Sequence, residues 1–280
     1  MHFIFIFSMK KIIYDFGACR GENFPYYLLK SDLIIAVEAN TENCNYIESK
    51  FAKEIDEGKI ILENCILSEK NNKKEKFYIH KEDYLLGQYP KPNDKTIENF
   101  IVTELESKDV ITIIKSYGEP YYIKIDLEQY DNVILKRILS NKIIPNYISA
   151  EATSTEILES FLSIGKYKAF KLVEGNNVEY LYKKTEINTA KNKINHSFPK
   201  NSAGPFGNDI YGDWIDKNNF IEFMNYKKIG WRDIHCSYID SPEKEENYKK
   251  YINIDNKREK YAKRNKRFSR LISKLNFFNN

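Results

Sequence analysis

From Lys11 onward the chain alternates β-branched apolar runs with stretches whose apolar residues recur at helical spacing. KIIYDFG ends in glycine and is followed by the helix-like ENFPYYLLKSD. DLIIAVEAN is the next run, and after Thr41, a candidate N-cap, a helical stretch reaches Lys59 with Tyr46, Ile47, Phe51 and Ile55 on one face. KIILENCILS reads as a third strand and EKFYIHK as a short extra one. Lys81 to Asn99 is polar, contains Pro90 and Pro92, and reads as a loop. The spacing then predicts a helix over 103–117, a strand in PYYIKIDLE, a helix in YDNVILKRILSNK, a strand in PNYISAEA and a helix from Ser154 to Ile164. YKAFKLVE and VEYLYKK flank Gly175-Asn176-Asn177, which reads as an antiparallel hairpin. Alternating strands and helices build a parallel sheet, so the expectation is an α/β fold with seven mostly parallel strands, closed by that hairpin.

No internal repeat is visible. The pattern divides the chain into an extension (1–10), an α/β domain (11–185), a loop-rich segment (186–240) and a helical tail (241–280). Tail residues Tyr248, Tyr251 and Ile252, then Phe268, Leu271, Ile272 and Leu275, fall at helical spacing. The opening HFIFIFSMKK is too short and lacks the flanks of a signal peptide, and Met9 reads as an alternative start. No run approaches the ~18 apolar residues of a membrane span.

Charge adds an asymmetry to this picture. The net charge is +4, yet residues 241–280 carry 12 Lys/Arg and 5 Asp/Glu, which leaves the body mildly acidic. Nucleic acid is therefore not an expected partner of the body, because phosphate contacts need clustered cations. Cys19, Cys44, Cys65 and Cys236 lie far apart with no C-x-x-C pair, so reduced thiols in a cytoplasmic protein are expected.

Three stretches could carry chemistry. In YDFGACRGEN a strand ends at Asp15, and Gly17 and Gly21 follow where backbone must approach a ligand, with a helix N-terminus behind them. The spacing D-x-G-x-x-x-G differs from the G-x-G-x-x-G of dinucleotide folds, which disfavours NAD. Glu38 ends the second strand, where a carboxylate accepts hydrogen bonds from two ribose hydroxyls. In YIKIDLEQYDN, Asp126 stands near the carboxyl end of a strand, where ligands bind, and Lys124 is expected to pair with a neighbour.

YDFGACRGEN with VEAN, and YYIKIDLEQYDNVIL above all, resemble the FkbM-type S-adenosylmethionine-dependent methyltransferases, whose motifs read D-x-G-A-N-x-G and K-I-D-x-E-G. A subset of that family carries S-S-G-P-F-G-E-D followed by G-x-W, matched here by Ser202-Ala203-Gly204-Pro205-Phe206-Gly207-Asn208-Asp209 and Gly212-Asp213-Trp214. The likeness covers residues 11 to 215 and departs at Cys19, which replaces Asn, at Gln129, which replaces Gly, and at Ala203 and Asn208. It implies a Rossmann-like class I methyltransferase fold with S-adenosylmethionine as cofactor. Asp15, Gly17, Ala18, Cys19 and Gly21 would then line the methionine end, Glu38 hold the ribose with Ala39 and Asn40 beside it, and Leu67, Ser68 and Glu69 border the adenine.

Methyl transfer to a hydroxyl needs alignment and a proton acceptor. Asp126, also counted among the cofactor contacts, is the first candidate base, Glu128 the second, and His196 a third because imidazole titrates near neutrality. No ligand spacing demands a divalent metal, which stays unassigned. The resemblance further implies O-methylation of a sugar in a bacterial surface glycan, capsule or lipooligosaccharide, or a related metabolite. Ser202, Gly204, Phe206, Asn208, Asp209 and Trp214 of the late loop, expected to fold across the carboxyl ends of the strands, would contact that acceptor. Lys-, Asn-, Ile- and Tyr-rich usage fits an AT-rich bacterial genome. Two assemblies are compatible with the tail: a helix packed on its own domain or a twin subunit as a homodimer, and a basic helix touching the inner membrane. The rival to an enzyme is a noncatalytic adenosine-binding or assembly protein that keeps the fold.

Overall fold

In the computed structural model the described residues are 10–189, 192–243 and 248–278, with side chains described as far as 267. The extension 1–10 thus lies, except for Lys10, outside the described residues, as do the side chains of the apolar tail positions from Phe268 onward. The chain forms two compact units, Met1–Tyr130 and Asp131–Asn280.

The first unit runs β1 (Ile12–Phe16), α1 (Phe24–Lys30), β2 (Leu33–Glu38), α2 (Thr41–Lys50), α3 (Ala52–Asp56), β3 (Ile60–Asn64), β4 (Ile66–Ser68), β5 (Lys73–His80), β6 (Gly87–Gln88), β7 (Phe100–Asp109), α4 (Val110–Tyr117) and β8 (Pro120–Ile125). β3, β2, β1 and β8 pair in that order and all are parallel. Every residue of β1 and β2 is buried, as in strands covered on both faces, which is why their sequences are mostly apolar runs rather than alternating ones. The winding goes from β1 outward to β3 on one side and to β8 on the other. The switch point, where open α/β sheets bind ligands, is therefore at the carboxyl ends of β1 and β8.

Several expectations for this unit need correction. The third run divides: Ile60–Asn64 pairs with β2, whereas Ile66–Ser68 joins β7 in a separate four-stranded sheet ordered β4-β7-β5-β6. Residues 103–109 are strand, and the helix begins only at Val110, capped by Asp109, whose side chain accepts from the Ile111 N–H at 3.1 Å. The reason is charge pairing across strands: Lys76 lies opposite Glu104 and Lys74 opposite Glu106. The N-cap of α2 is Asn40 rather than Thr41, and the helix breaks at Phe51.

The second unit runs α5 (Asp131–Ser140), β9 (Tyr147–Glu151), α6 (Thr155–Ser163), β10 (Ala169–Glu174), α7 (Val178–Leu181), β11 (Thr185–Asn188), β12 (Lys193–His196), β13 (Ile215–Asp216), α8 (Lys217–Lys227), β14 (Arg232–Ser237) and α9 (Lys249–Phe278). The hairpin expected at 169–184 is absent. Gly175–Asn177 form a single 3-10 turn and 178–181 a helical turn that buries Val178 and Tyr182, one above the other at i and i+4. The antiparallel strand comes from much later: β14 pairs with β9 on one side and β10 on the other. β10 also takes β13 antiparallel, so four strands of the second unit pair in the order β13-β10-β14-β9, and the strand count differs from the seven expected. The stretch 186–240, which reads as loop-rich, thus supplies both α8 and β14. The fold is α/β and Rossmann-like, as expected.

The tail helix starts at Lys249 and is held at its root by a buried cation. Lys227 Nζ lies 2.7 Å from Glu174, 2.6 Å from Asp255 and 2.7 Å from Glu259. These three carboxylates have the spacing of a metal site, but the ammonium already supplies their positive charge.

Candidate functional site

The switch point in the first unit is built around Gly17. Its φ of +83° is a left-handed value, and an added Cβ would meet the carbonyl oxygen of Asp126 at 1.8 Å, so only glycine fits between β1 and β8. The next turn is pinned to β2 by Gly17 and Ala18, whose N–H groups donate to the Val37 carbonyl at 3.0 and 3.1 Å. Cys19 is left-handed as well, with φ of +50°. Asn tolerates that conformation better than most side chains do. Gly21 completes the turn at φ +69°, packed on Phe24 and Phe51.

Glu38 closes this loop from the end of β2. The Cys19 N–H donates to Oε2 and the Asn40 N–H to Oε1, both at 2.7 Å. Each oxygen keeps a further lone pair, so two more donors can be accepted. Burial lifts its pKa from the ordinary 4.5 to about 7, although both N–H bonds and Lys124 pull the other way. Asn64, at the end of β3, donates to the carbonyls of Glu38 and Ala39 at 2.9 and 3.2 Å and fixes the turn from below. Asn40 is buried with its side chain used as the α2 cap.

Lys124 is buried and gathers three acceptors: Asp15 at 3.3 Å, Asp126 at 3.2 Å and the Gly17 carbonyl at 3.1 Å. Asp15 is wholly buried and its oxygens make no hydrogen bond among the described residues beyond that ion pair. Burial raises its pKa to about 6, against the opposing pull of Lys124. Asp126 is the open member of the trio, its side chain 39% exposed. Glu128 follows at φ +48° and Gln129 at +83°, so Gln129 stands in the conformation that the glycine of the resembling motif would adopt without strain.

Leu67 and Ser68 are buried at the end of β4, and the Ser68 hydroxyl bonds the backbone of Lys70. Glu69 is exposed and hydrogen-bonds with Tyr130, whose ring meets Tyr89 edge-on at 4.9 Å. Residues with no sequence signal enter here. Arg20 lies over the Tyr84 ring at 3.7 Å, and Asn43 receives the Arg20 Nε–H at 3.2 Å while donating to the Tyr84 carbonyl at 3.1 Å. The polar segment between β5 and β6 thus reaches the glycine turn, which its composition does not announce.

The remaining predicted site residues belong to the second unit. His196 ends β12, half-buried against Phe198, and burial lowers its pKa. Ser202 is buried and accepts from the Gly204 N–H at 3.0 Å, and Gly204 (φ +85°) packs on Val173 and Val178 near the carboxyl end of β10. From there the loop runs the other way. Phe206 and Trp214 pack on Tyr147, at the amino end of β9, and Asn208 joins the indole N–H (2.8 Å) to Asp240 (3.0 Å). Asp209 lies in the 3-10 turn after Phe206. Buried Lys171 donates to the Ile210 carbonyl at 2.9 Å and sits 4.6 Å from the Trp214 ring. The expectation that this loop spans the carboxyl ends of the strands is corrected: its aromatic anchors lie at the opposite end.

At the carboxyl ends of β9 and β10 stands Trp231 instead, 50% exposed. The Gly175 N–H donates to the Trp231 carbonyl at 3.2 Å and the Gly230 N–H to the Ala152 carbonyl at 3.1 Å. A Cβ on Gly175 would meet the indole nitrogen at 2.7 Å, so the ring lies on the glycine backbone. The W-R-D-I-H-C run just after a glycine is the sequence signal of this strand entry.

No family model matches the chain, and no curated protein matches it. Among solved structures it is similar to a methyltransferase FkbM from Methylobacillus flagellatus KT, at 16% identity and TM-score 0.40 over 59% of this chain and 40% of that one. A precorrin-6y C5,15-methyltransferase from Geobacter metallireducens GS-15 follows at 13% identity and TM-score 0.34, over 67% of this chain and 74% of that one. A SAM-dependent O-methyltransferase from Thermotoga maritima matches at 8% and 0.34, over 84% and 62%. The chain spans about two fifths of the length of the FkbM protein. With scores this low, the likenesses bear on neither activity nor substrate.

Proposed function

We propose that the first unit binds S-adenosylmethionine and that the chain is an O-methyltransferase. The observation that carries this is Glu38: a buried carboxylate at the carboxyl end of β2, held by two backbone N–H groups with a lone pair left on each oxygen, beside a glycine turn at the sheet's switch point. A vicinal diol supplies the two donors such a carboxylate is built to receive. The cofactor, when bound, supplies an electrophilic methyl group on a sulfonium. Glu38 would hold the ribose with Ala39 and Asn40 beside it, the 17–21 turn would receive the methionine end, and Leu67, Ser68 and Glu69 would border the base.

Asp126 is the proton acceptor of choice because it is the half-exposed carboxylate of the Lys124 trio, and Glu128 is the second candidate. The acceptor is a sugar hydroxyl of a bacterial surface glycan or related metabolite. A cytoplasmic location follows from that role. Among the described residues no helix is long and apolar enough to cross a membrane. A noncatalytic adenosine-binding role is favoured by one observation, the ammonium of Lys124 against Asp126.

Transfer of labelled methyl from S-adenosylmethionine to a panel of nucleotide-activated and lipid-linked sugars separates the two. Label in any sugar, reduced at least tenfold in Asp126→Asn, supports the enzyme with Asp126 as base. Full turnover in that variant removes Asp126 from the role, and cofactor binding without transfer to any acceptor class leaves the noncatalytic reading standing.

A further inference from the structure

The cofactor reading does not account for α9, whose two acids share the inner side with Arg258 and Lys266 while the opposite side carries cations alone among its charges. Tyr251, Asp255, Glu259 and Ala262 recur at i, i+4, i+8 and i+11 and form the inner side: Tyr251 and Ala262 are buried, and both acids bind Lys227. These two are the helix's only acidic residues. The opposite side carries Lys257, Lys260, Tyr261 and Arg264, all exposed, with Tyr261 at 56%. None of these three cations has an ion-pair partner among the described residues.

The helix continues to Phe278. At 3.6 residues per turn, sequence positions 268, 271, 272 and 275 continue the same i, i+3, i+4, i+7 stripe as 257, 260, 261 and 264. Those four positions are Phe, Leu, Ile and Leu. One side of α9 therefore runs from cationic, with a tyrosine among the charges, to apolar. A solvated helix needs no such sorting, and a nucleic-acid-binding helix has no use for an apolar end on its phosphate-facing side. Both halves suit an anionic bilayer, which attracts Lys and Arg at its surface and accepts apolar side chains below the headgroups.

We infer that the outward face of α9 adsorbs to anionic lipid bilayers, holding the protein at a membrane surface without crossing it. The test is co-sedimentation of the full chain with large unilamellar vesicles of phosphatidylcholine alone and of phosphatidylcholine with phosphatidylglycerol. The expected result is pelleting with the anionic vesicles only, weakened at least tenfold when salt rises from about 0.1 to 0.5 M. Lys257→Glu/Lys260→Glu/Arg264→Glu abolishes it with circular dichroism unchanged, and Leu271→Ser/Ile272→Ser weakens it while leaving every charge in place. No binding to anionic vesicles, equal binding to neutral ones, or a charge-reversed variant that folds and still binds would each overturn the inference. So would a short DNA duplex that binds more tightly than the vesicles and displaces them. If the charge-reversed variant does not fold, the wild-type salt series and the two lipid compositions decide the matter.

Discussion

Gly17 is the residue on which the site's geometry is most sensitive. A methyl group there would sit 1.8 Å from a backbone oxygen that cannot move without parting β1 from β8. Gly17→Ala is expected to lower stability by more than about 3 kcal/mol and to abolish cofactor binding, read by thermal denaturation and calorimetry. Gln129→Gly is expected to act in the opposite sense, raising stability by up to about 1 kcal/mol, because a left-handed side chain is strained there and glycine is not. Glu38 makes a prediction in pH. Its folded pKa of about 7 lies above the ordinary 4.5, so the folded state holds the extra proton between those values. Stability from this group therefore falls as pH rises through that window and is level above it. Glu38→Gln should flatten that slope in a series of melting temperatures. Of these residues the sequence makes Asp15, Gly17 and Glu38 legible, because a strand end followed by glycine or by an acid is a local pattern. The Arg20–Asn43–Tyr84 cluster is not legible, because its members meet only through a long excursion of the chain.

At the scale of elements, the expectations succeed where one period rules and fail where a distant partner decides. β1, β2 and β8 are mostly apolar runs, broken within by Asp15 and Lys124, and their pairing follows from burial on both faces. The stretch 103–109 has the charge density of a surface helix, but its glutamates are laid opposite the lysines of β5, thirty residues earlier in the chain. The false hairpin has the same origin: Gly175-Asn176-Asn177 is a credible turn, yet the partner of β10 arrives with β14 after the intervening helix α8. Lys227 gives this scale its prediction. Its ammonium balances Glu174, Asp255 and Glu259 with its side chain 6% exposed, so Lys227→Met would leave three carboxylates facing one another. A loss of about 3–5 kcal/mol is expected. Hydrogen exchange should show the first turns of α9 opening before β10 does.

For the whole molecule, the division of charge seen in the sequence has a structural counterpart, since the tail's excess cations belong to α9, whose only acids are Asp255 and Glu259. The α/β class follows from the order of runs alone. The division into units at Tyr130 does not, because Tyr130 lies inside the run that joins β8 to α5 and has no linker composition. The central claim concerns the first unit, and isothermal titration with S-adenosylmethionine and S-adenosylhomocysteine tests it most directly. Saturable binding of either ligand is predicted, weakened roughly tenfold to a hundredfold by Glu38→Ala, as expected for lost hydrogen bonds to a charged group. Failure of the folded wild-type chain to bind either ligand, or undiminished binding by a folded Glu38→Ala variant, would contradict the account.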